Sequence, residues 1–216
     1  MDKNDISGYS WTSAQPECSH DYLLPTVLSE IKLLLADRQQ KIFDLGCGNG
    51  SIANVLASHG WDVTGVDPSK DGIFQANTQY PHLKLYEGSA YDDLSMKYGQ
   101  YPVVTSLEVV EHVFFPRNYA LTLYSLLELG GVAIISTPYH GYLKNLAISI
   151  IGKMDTHFTA LWDYGHIKFW SMKTLRQLLS EVGFVDIRFV RVGRIPVLAK
   201  SMIAIARKPS NLSTSY

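Results

Sequence analysis

Cysteine is scarce in this chain: among 216 residues only Cys18 and Cys47 carry a thiol. Two thiols cannot build the disulfide framework of a small secreted domain, so a reducing, cytoplasmic setting is expected. Charge is thin as well, at 18% of residues, while hydrophobic residues reach 46%. That balance excludes a disordered chain and suits one folded domain, 1–216, with a core of useful size. No apolar run approaches the roughly 20 residues that span a bilayer. The opening Met1-Asp2-Lys3-Asn4-Asp5 lacks the basic and apolar segments of a secretory signal.

The net charge of -1 conceals an imbalance. Residues 1–137 hold 8 Lys+Arg against 16 Asp+Glu, and residues 138–216 hold 11 against 4. A uniformly basic nucleic-acid binder would not look like this, and no nucleic-acid partner is expected. The basic part suits an acidic substrate or an anionic membrane surface. Alternatively the two parts neutralise each other across one fold.

Apolar spacing then sets the architecture. Leu23, Leu24, Val27, Leu28, Ile31, Leu34 and Leu35 recur at helical intervals within 1–36. Short strand-like runs follow, at Lys41 to Leu45, Asp62 to Val66, Leu83 to Tyr86, Pro102 to Leu107 and Val132 to Ser136. Helical spacing separates them at Ser51 to His59, Asp71 to Tyr80 and Arg117 to Leu129. Such alternation predicts a doubly wound α/β fold, a mostly parallel sheet with helices on both faces. The rhythm breaks over 139–170, which is read as a substrate-side insertion. A helix over Ser171 to Val182 and a final antiparallel pair, Phe184 to Val192 with Ser201 to Ala206, complete the pattern.

The strongest local signal is Asp44-Leu45-Gly46-Cys47-Gly48-Asn49-Gly50, placed after a strand and before a helix. Glycines there let the backbone turn sharply and approach a ligand, and the helix start offers unpaired N–H groups. Asp67 ends the next strand, where its carboxylate can accept both hydroxyls of a ribose. A dinucleotide fingerprint needs G-x-G-x-x-G, yet position 51 is serine. That spacing argues against a nicotinamide oxidoreductase.

On these residues the chain resembles the class I S-adenosylmethionine-dependent methyltransferases. The matching stretches are DLGCGNG (44–50), GVD (65–67), EGSAYDDL (87–94), SLEVVEHV (106–113) and GGVAIISTP (130–138). The resemblance implies a seven-stranded sheet and methyl transfer to a small-molecule acceptor, foremost a hydroxyl oxygen. A non-catalytic S-adenosylmethionine-binding module is the alternative. By match, Asp44, Gly46, Cys47, Gly48, Asn49 and Gly50 would contact the methionine part, and Asp67 the ribose. Pro68, Ser89 and Ala90 would border the adenine, with Leu107 and Glu108 as the floor. Many relatives carry Asp where this chain has Ser89. Tyr9 is expected in a cap over the cofactor, since aromatic faces attract a sulfonium. Trp11 is expected instead to pack the first helix on the sheet.

Glu108-Val109-Val110-Glu111-His112 gathers two carboxylates and an imidazole in one turn. The cluster resembles that of the ubiquinone-biosynthesis O-methyltransferases, where the matching Glu108, Glu111 and His112 would hold a divalent metal such as Mg²⁺. The other reading is that Glu and His only tie the loop to the next helix. In the insertion, Leu143, Leu146, Ala147, Ile150 and Ile151 share one helical face between lysines. Segment 143–153 suits a peripheral membrane contact, a cover over substrate, or core packing. His140 and His166 are the candidate general bases.

Overall fold

The computed structural model describes residues 11, 13–15, 19–163 and 165–211. Tyr9 and Cys18 lie outside the described residues. The chain runs α1 (His20–Leu34), β1 (Lys41–Leu45), α2 (Ser51–Ser58), β2 (Asp62–Asp67), α3 (Lys70–Gln79), β3 (Lys84–Glu87) and α4 (Leu94–Tyr98). It continues as β4 (Tyr101–Leu107), α5 (Pro116–Leu126), β5 (Leu127–Pro138), α6 (Tyr142–Ile150) and α7 (Met154–Phe158). Then come α8 (Met172–Val182), β6 (Val185–Val192) and β7 (Ser201–Arg207). One seven-stranded sheet has the order β3-β2-β1-β4-β5-β7-β6. The first five strands are parallel, and β7 runs antiparallel to both neighbours.

Strand geometry divides the core in two. Successive side chains point to opposite faces. Phe43, Val104 and Ala133 therefore join α5 and α8 through Tyr119, Leu123, Leu175 and Leu179. Ile42, Val103 and Ile134 join α1, α2 and α3 through Leu23, Val27, Leu56 and Ile73. Every residue of β4 is buried, which is why its sequence shows no polar alternation.

Strand order reverses where β1 lies beside β4, which leaves a crevice above the strand termini. The structure departs from the spacing at two points. The helix expected to Leu129 stops at Leu126, because Leu127 pairs with Tyr101 as the start of β5 before a register shift. The short α4 was not expected from its polar sequence.

The charge imbalance is partly neutralised across the fold, where Arg188 of the basic part pairs with Glu30 of the acidic part. Helix α6 does not pack into the core, for none of its residues is buried. Among the described residues no helix is long and apolar enough to cross a membrane.

Candidate functional site

The glycine-rich turn joins β1 to α2. Gly46, Gly48 and Gly50 all take positive φ, at 85°, 52° and 76°. Close neighbours reinforce the need for glycine at the first two. A Cβ on Gly46 would stand 2.4 Å from Val109, and one on Gly48 would stand 2.7 Å from Trp11. The turn is fastened to β2 by the Gly48 N–H, which donates to Asp67 Oδ2 at 2.9 Å. Asp67 Oδ1 accepts from the Ser69 N–H at 2.8 Å. Turn and carboxylate therefore face one space.

That space is a cleft of about 730 Å³, within the range of small-molecule sites. Of the expected cofactor residues, Gly46, Cys47, Gly48, Asn49, Asp67, Pro68, Ser89, Ala90, Leu107 and Glu108 all line it. Asp44 stands behind the turn, buried, with Oδ1 accepting from Thr105 Oγ1 at 2.7 Å and Oδ2 unpartnered. Burial raises its pKa to about 6, against the Thr105 hydrogen bond and with help from Asp67. The Asn49 side chain bonds within the protein. It donates to Ser13 O and Gln15 O at 2.9 and 3.0 Å and accepts from Ser51 Oγ.

Trp11 is not a wedge between α1 and the sheet, as its position had suggested. Its ring lies on Gly48 and Gly72 and forms part of the cleft wall. The cause is the tether just beyond it: Asn49 and Tyr80 hold the carbonyls of residues 13–15. Trp162, an aromatic of the substrate-side insertion, also lines the cleft, whereas sequence reasoning missed Tyr91, Phe114 and Phe115 on its wall. Phe114 and Phe115 are both exposed, packed edge to face at 5.0 Å, and the Phe115 N–H donates to Tyr91 Oη. An adjacent aromatic pair between a polar turn and a helix-starting Pro116 was the available signal.

Glu108 ends β4 with φ 56°, an uncommon conformation for a residue with a side chain. Its carboxylate accepts from Ser136 Oγ at 2.7 Å. It therefore stays apart from the cluster that does form, in which donor atoms of Glu111, His112 and His166 lie within 4.8 Å of one another. Glu111 is buried, and neither carboxylate oxygen has a hydrogen-bond partner. Burial, with Glu108 nearby, pushes its carboxyl well above the usual range. His166 Nε2 stands 4.0 Å from Glu111 Oε1. Burial, then His112 and His157, lower the His166 pKa to about 4.

The insertion is strapped to this loop. The N–H groups of Ile167 and Lys168 both donate to the Glu111 carbonyl, and Trp170 Nε1 donates to Val110 O at 3.0 Å. His166 thereby reaches the cleft. His140 does not. Its N–H donates to Trp170 O, and its ring stacks on Phe158 in an adjoining cavity.

A mostly parallel seven-stranded sheet with this cleft at the reversal of strand order defines the Rossmann-like fold of S-adenosylmethionine-dependent methyltransferases. The chain belongs to the methyltransferase-domain family, whose model matches residues 20–188. It is 32% identical over 142 residues to a ubiquinone biosynthesis O-methyltransferase of Roseobacter denitrificans, covering 62% of this chain and 57% of the relative. It is 38% identical over 115 residues to one from Rickettsia typhi, covering 51% and 46%. The chain thus spans about half the length of these relatives. Among solved structures, magnesium protoporphyrin IX methyltransferase of Synechocystis with bound S-adenosylhomocysteine superposes with a TM-score of 0.63. The identity is 22%, covering 85% of this chain and 82% of that one.

Proposed function

We propose that this chain transfers the methyl group of S-adenosylmethionine to a hydroxyl oxygen of a small-molecule acceptor. One observation carries the reading: the Gly48 amide and the Asp67 carboxylate meet at 2.9 Å on the wall of one open cleft. An adenosyl ligand there exchanges that internal contact for its ribose hydroxyls on Asp67. Its methionine part lies along Gly46–Gly50, and its adenine lies by Pro68, Ser89 and Ala90. Leu107 and Glu108 form the floor. The names of the curated relatives favour oxygen as the acceptor atom.

In the transfer, a bond forms between acceptor oxygen and methyl carbon as the carbon–sulfur bond breaks. The sulfur keeps the electron pair. Alignment and exclusion of water supply most of the acceleration. The acceptor proton goes to His166, which a pKa near 4 leaves unprotonated at neutral pH. An acceptor cavity that opens beside His166 favours catalysis over a binding-only module.

The unpartnered Glu111 oxygens with two imidazoles fit a divalent ion that accepts nitrogen, such as zinc. They do not fit Mg²⁺, which prefers an oxygen shell. A bound ion would polarise an acceptor hydroxyl and would replace His166 as the means of removing its proton, so ion and free base are alternatives. A second reading concerns α6 and its end, where Leu143, Ile150 and Ile151 are exposed in a segment that also carries Lys144 and Lys153. Segment 143–153 suits peripheral contact with an anionic membrane.

Isothermal titration with S-adenosylmethionine and S-adenosylhomocysteine tests the main reading. Binding is expected, and Asp67→Ala should weaken it at least tenfold. Unchanged affinity in that variant would remove the ribose assignment.

A further inference from the structure

We propose that the second cavity, which meets the cofactor cleft at His166, binds an anionic group of the methyl acceptor, making the acceptor an apolar acid bearing a carboxylate or phosphate. The inference rests on the methyl-transfer reading above. The cavity measures about 590 Å³ and is lined by four cations, Lys144, Lys153, Arg194 and Lys200. None of its lining residues is an Asp or Glu. Elsewhere in the same basic part of the chain, Arg188 is held by Glu30. Among the described residues, the side chains of Lys153 and Arg194 meet no such partner.

These cations act on one another. Lys144 is half-buried, its Nζ donating to Tyr139 O at 2.9 Å. Burial and then Arg194 lower its pKa, and Lys144 in turn lowers those of His140 and His157. Like charges gathered around a cavity repel, and a bound anion reverses the sign of that interaction. Apart from Thr156, His157 and His166, the rest of the wall is mainly apolar or aromatic. Ala147, Ile148 and Ile151 come from the α6 side, and the His140, Phe158 and Phe169 rings pack 4.9–5.7 Å apart. A flat apolar body with one negative end matches this lining. His166 borders both spaces, so a molecule anchored in the second cavity presents its other end to the cofactor side.

The test uses the whole protein saturated with S-adenosylhomocysteine, titrated with 2-naphthoate and with its uncharged amide, 2-naphthamide. The acid should bind at least tenfold more tightly, by a margin that shrinks as salt rises. The double variant Lys153→Ala/Arg194→Ala should lose that margin while keeping its affinity for naphthamide and for S-adenosylhomocysteine. Equal binding of the two probes, or a margin that survives in the variant, overturns the proposal. A protein that binds S-adenosylhomocysteine but shows no preference for the acid defeats this inference alone. A protein that does not bind S-adenosylhomocysteine defeats the methyl-transfer reading, and this inference with it. Phosphatidylglycerol vesicles form the last arm. If they bind through the same two residues and naphthoate does not compete, the site takes a lipid headgroup and the acceptor assignment is wrong.

Discussion

The indole of Trp11 lies so close over Gly48 that a Cβ on that glycine would stand 2.7 Å from its ring. Gly48 also holds φ at 52°, where a side chain costs about 1–2 kcal/mol. Gly48→Ala should therefore lose about that much stability and displace Trp11 from the cleft wall. Cofactor affinity should fall about tenfold. Gly99→Ala is the control, since Gly99 has φ 80° but no neighbour within 4 Å. It should lose stability and keep affinity. Denaturant unfolding and isothermal titration on the two variants separate strain from contact.

Asp44 makes stability depend on pH in an unusual direction. Its folded pKa of about 6 stands above the ordinary 3.8. Below pH 3.8 the carboxyl is protonated in both states and costs nothing. Between about 4 and 6 the folded chain holds a proton that the unfolded chain has released, so stability falls as pH rises. Above 6 the whole penalty is present, about 3 kcal/mol at 1.36 kcal/mol per unit. Asp44→Asn keeps an acceptor for Thr105 and carries no charge. It should raise stability by about 2–3 kcal/mol at pH 7.5 and by little at pH 4. Affinity for S-adenosylmethionine should drop in exchange, since on the proposed reading this buried carboxylate would lie nearest the cationic end of the methionine. Thermal melts at the two pH values read the first effect.

The fold was legible because two periods were clean. Buried strands such as Val132 to Ile135 read as unbroken apolar runs, and α1 repeats Leu23, Val27 and Ile31 on one face. The glycine turn and Asp67 were legible because their backbone demands are local. What escaped depends on distant contacts. Nothing beside Trp11 in sequence reveals Asn49 and Tyr80, which fix the segment that follows it. Glu108, Glu111 and His112 are neighbours in the chain, but φ 56° at Glu108 swings its carboxylate to Ser136. The third member of the cluster, His166, arrives from the insertion, some fifty residues away in the chain.

His166 and His140 can be told apart by kinetics. His166→Gln should lower kcat by roughly 10²–10⁴ with little change in cofactor affinity, as expected for loss of a general base. His140→Gln should leave most of kcat and act on acceptor KM, because that ring lies in the second cavity. Without a bound ion, the acid limb of wild-type kcat should fall near pH 4 rather than near 6.5, following the lowered His166 pKa. An acid limb at 6.5 with a tolerated His166→Gln would move the role to another residue.

Metal dependence divides by ion type. One carboxylate and two imidazoles should bind zinc at micromolar levels and ignore magnesium at millimolar levels. Zinc should raise Tm by several degrees in the wild type and have no effect in Glu111→Ala. Glu111→Ala also removes a buried carboxyl without partners, so its own melting point serves as the baseline. A magnesium-dependent rise in Tm, or in activity after chelation, would restore the oxygen-rich site expected from the sequence.

Trp170 holds the insertion against the site loop through its Nε1–H, which donates to Val110 O at 3.0 Å while the indole is 9% exposed. Trp170→Phe keeps most of the apolar body and leaves the Val110 carbonyl without that donor. An abandoned buried acceptor costs about 1–3 kcal/mol. The loss should appear on the acceptor side, since the strap carries His166 and abuts His140, while Gly46–Gly50 and Asp67 belong to separate elements. Acceptor KM is expected to rise severalfold, with S-adenosylhomocysteine affinity within twofold of wild type. An equal loss of cofactor affinity would mean that the strap braces the whole cleft, and the division of labour between sheet and insertion would have to be abandoned.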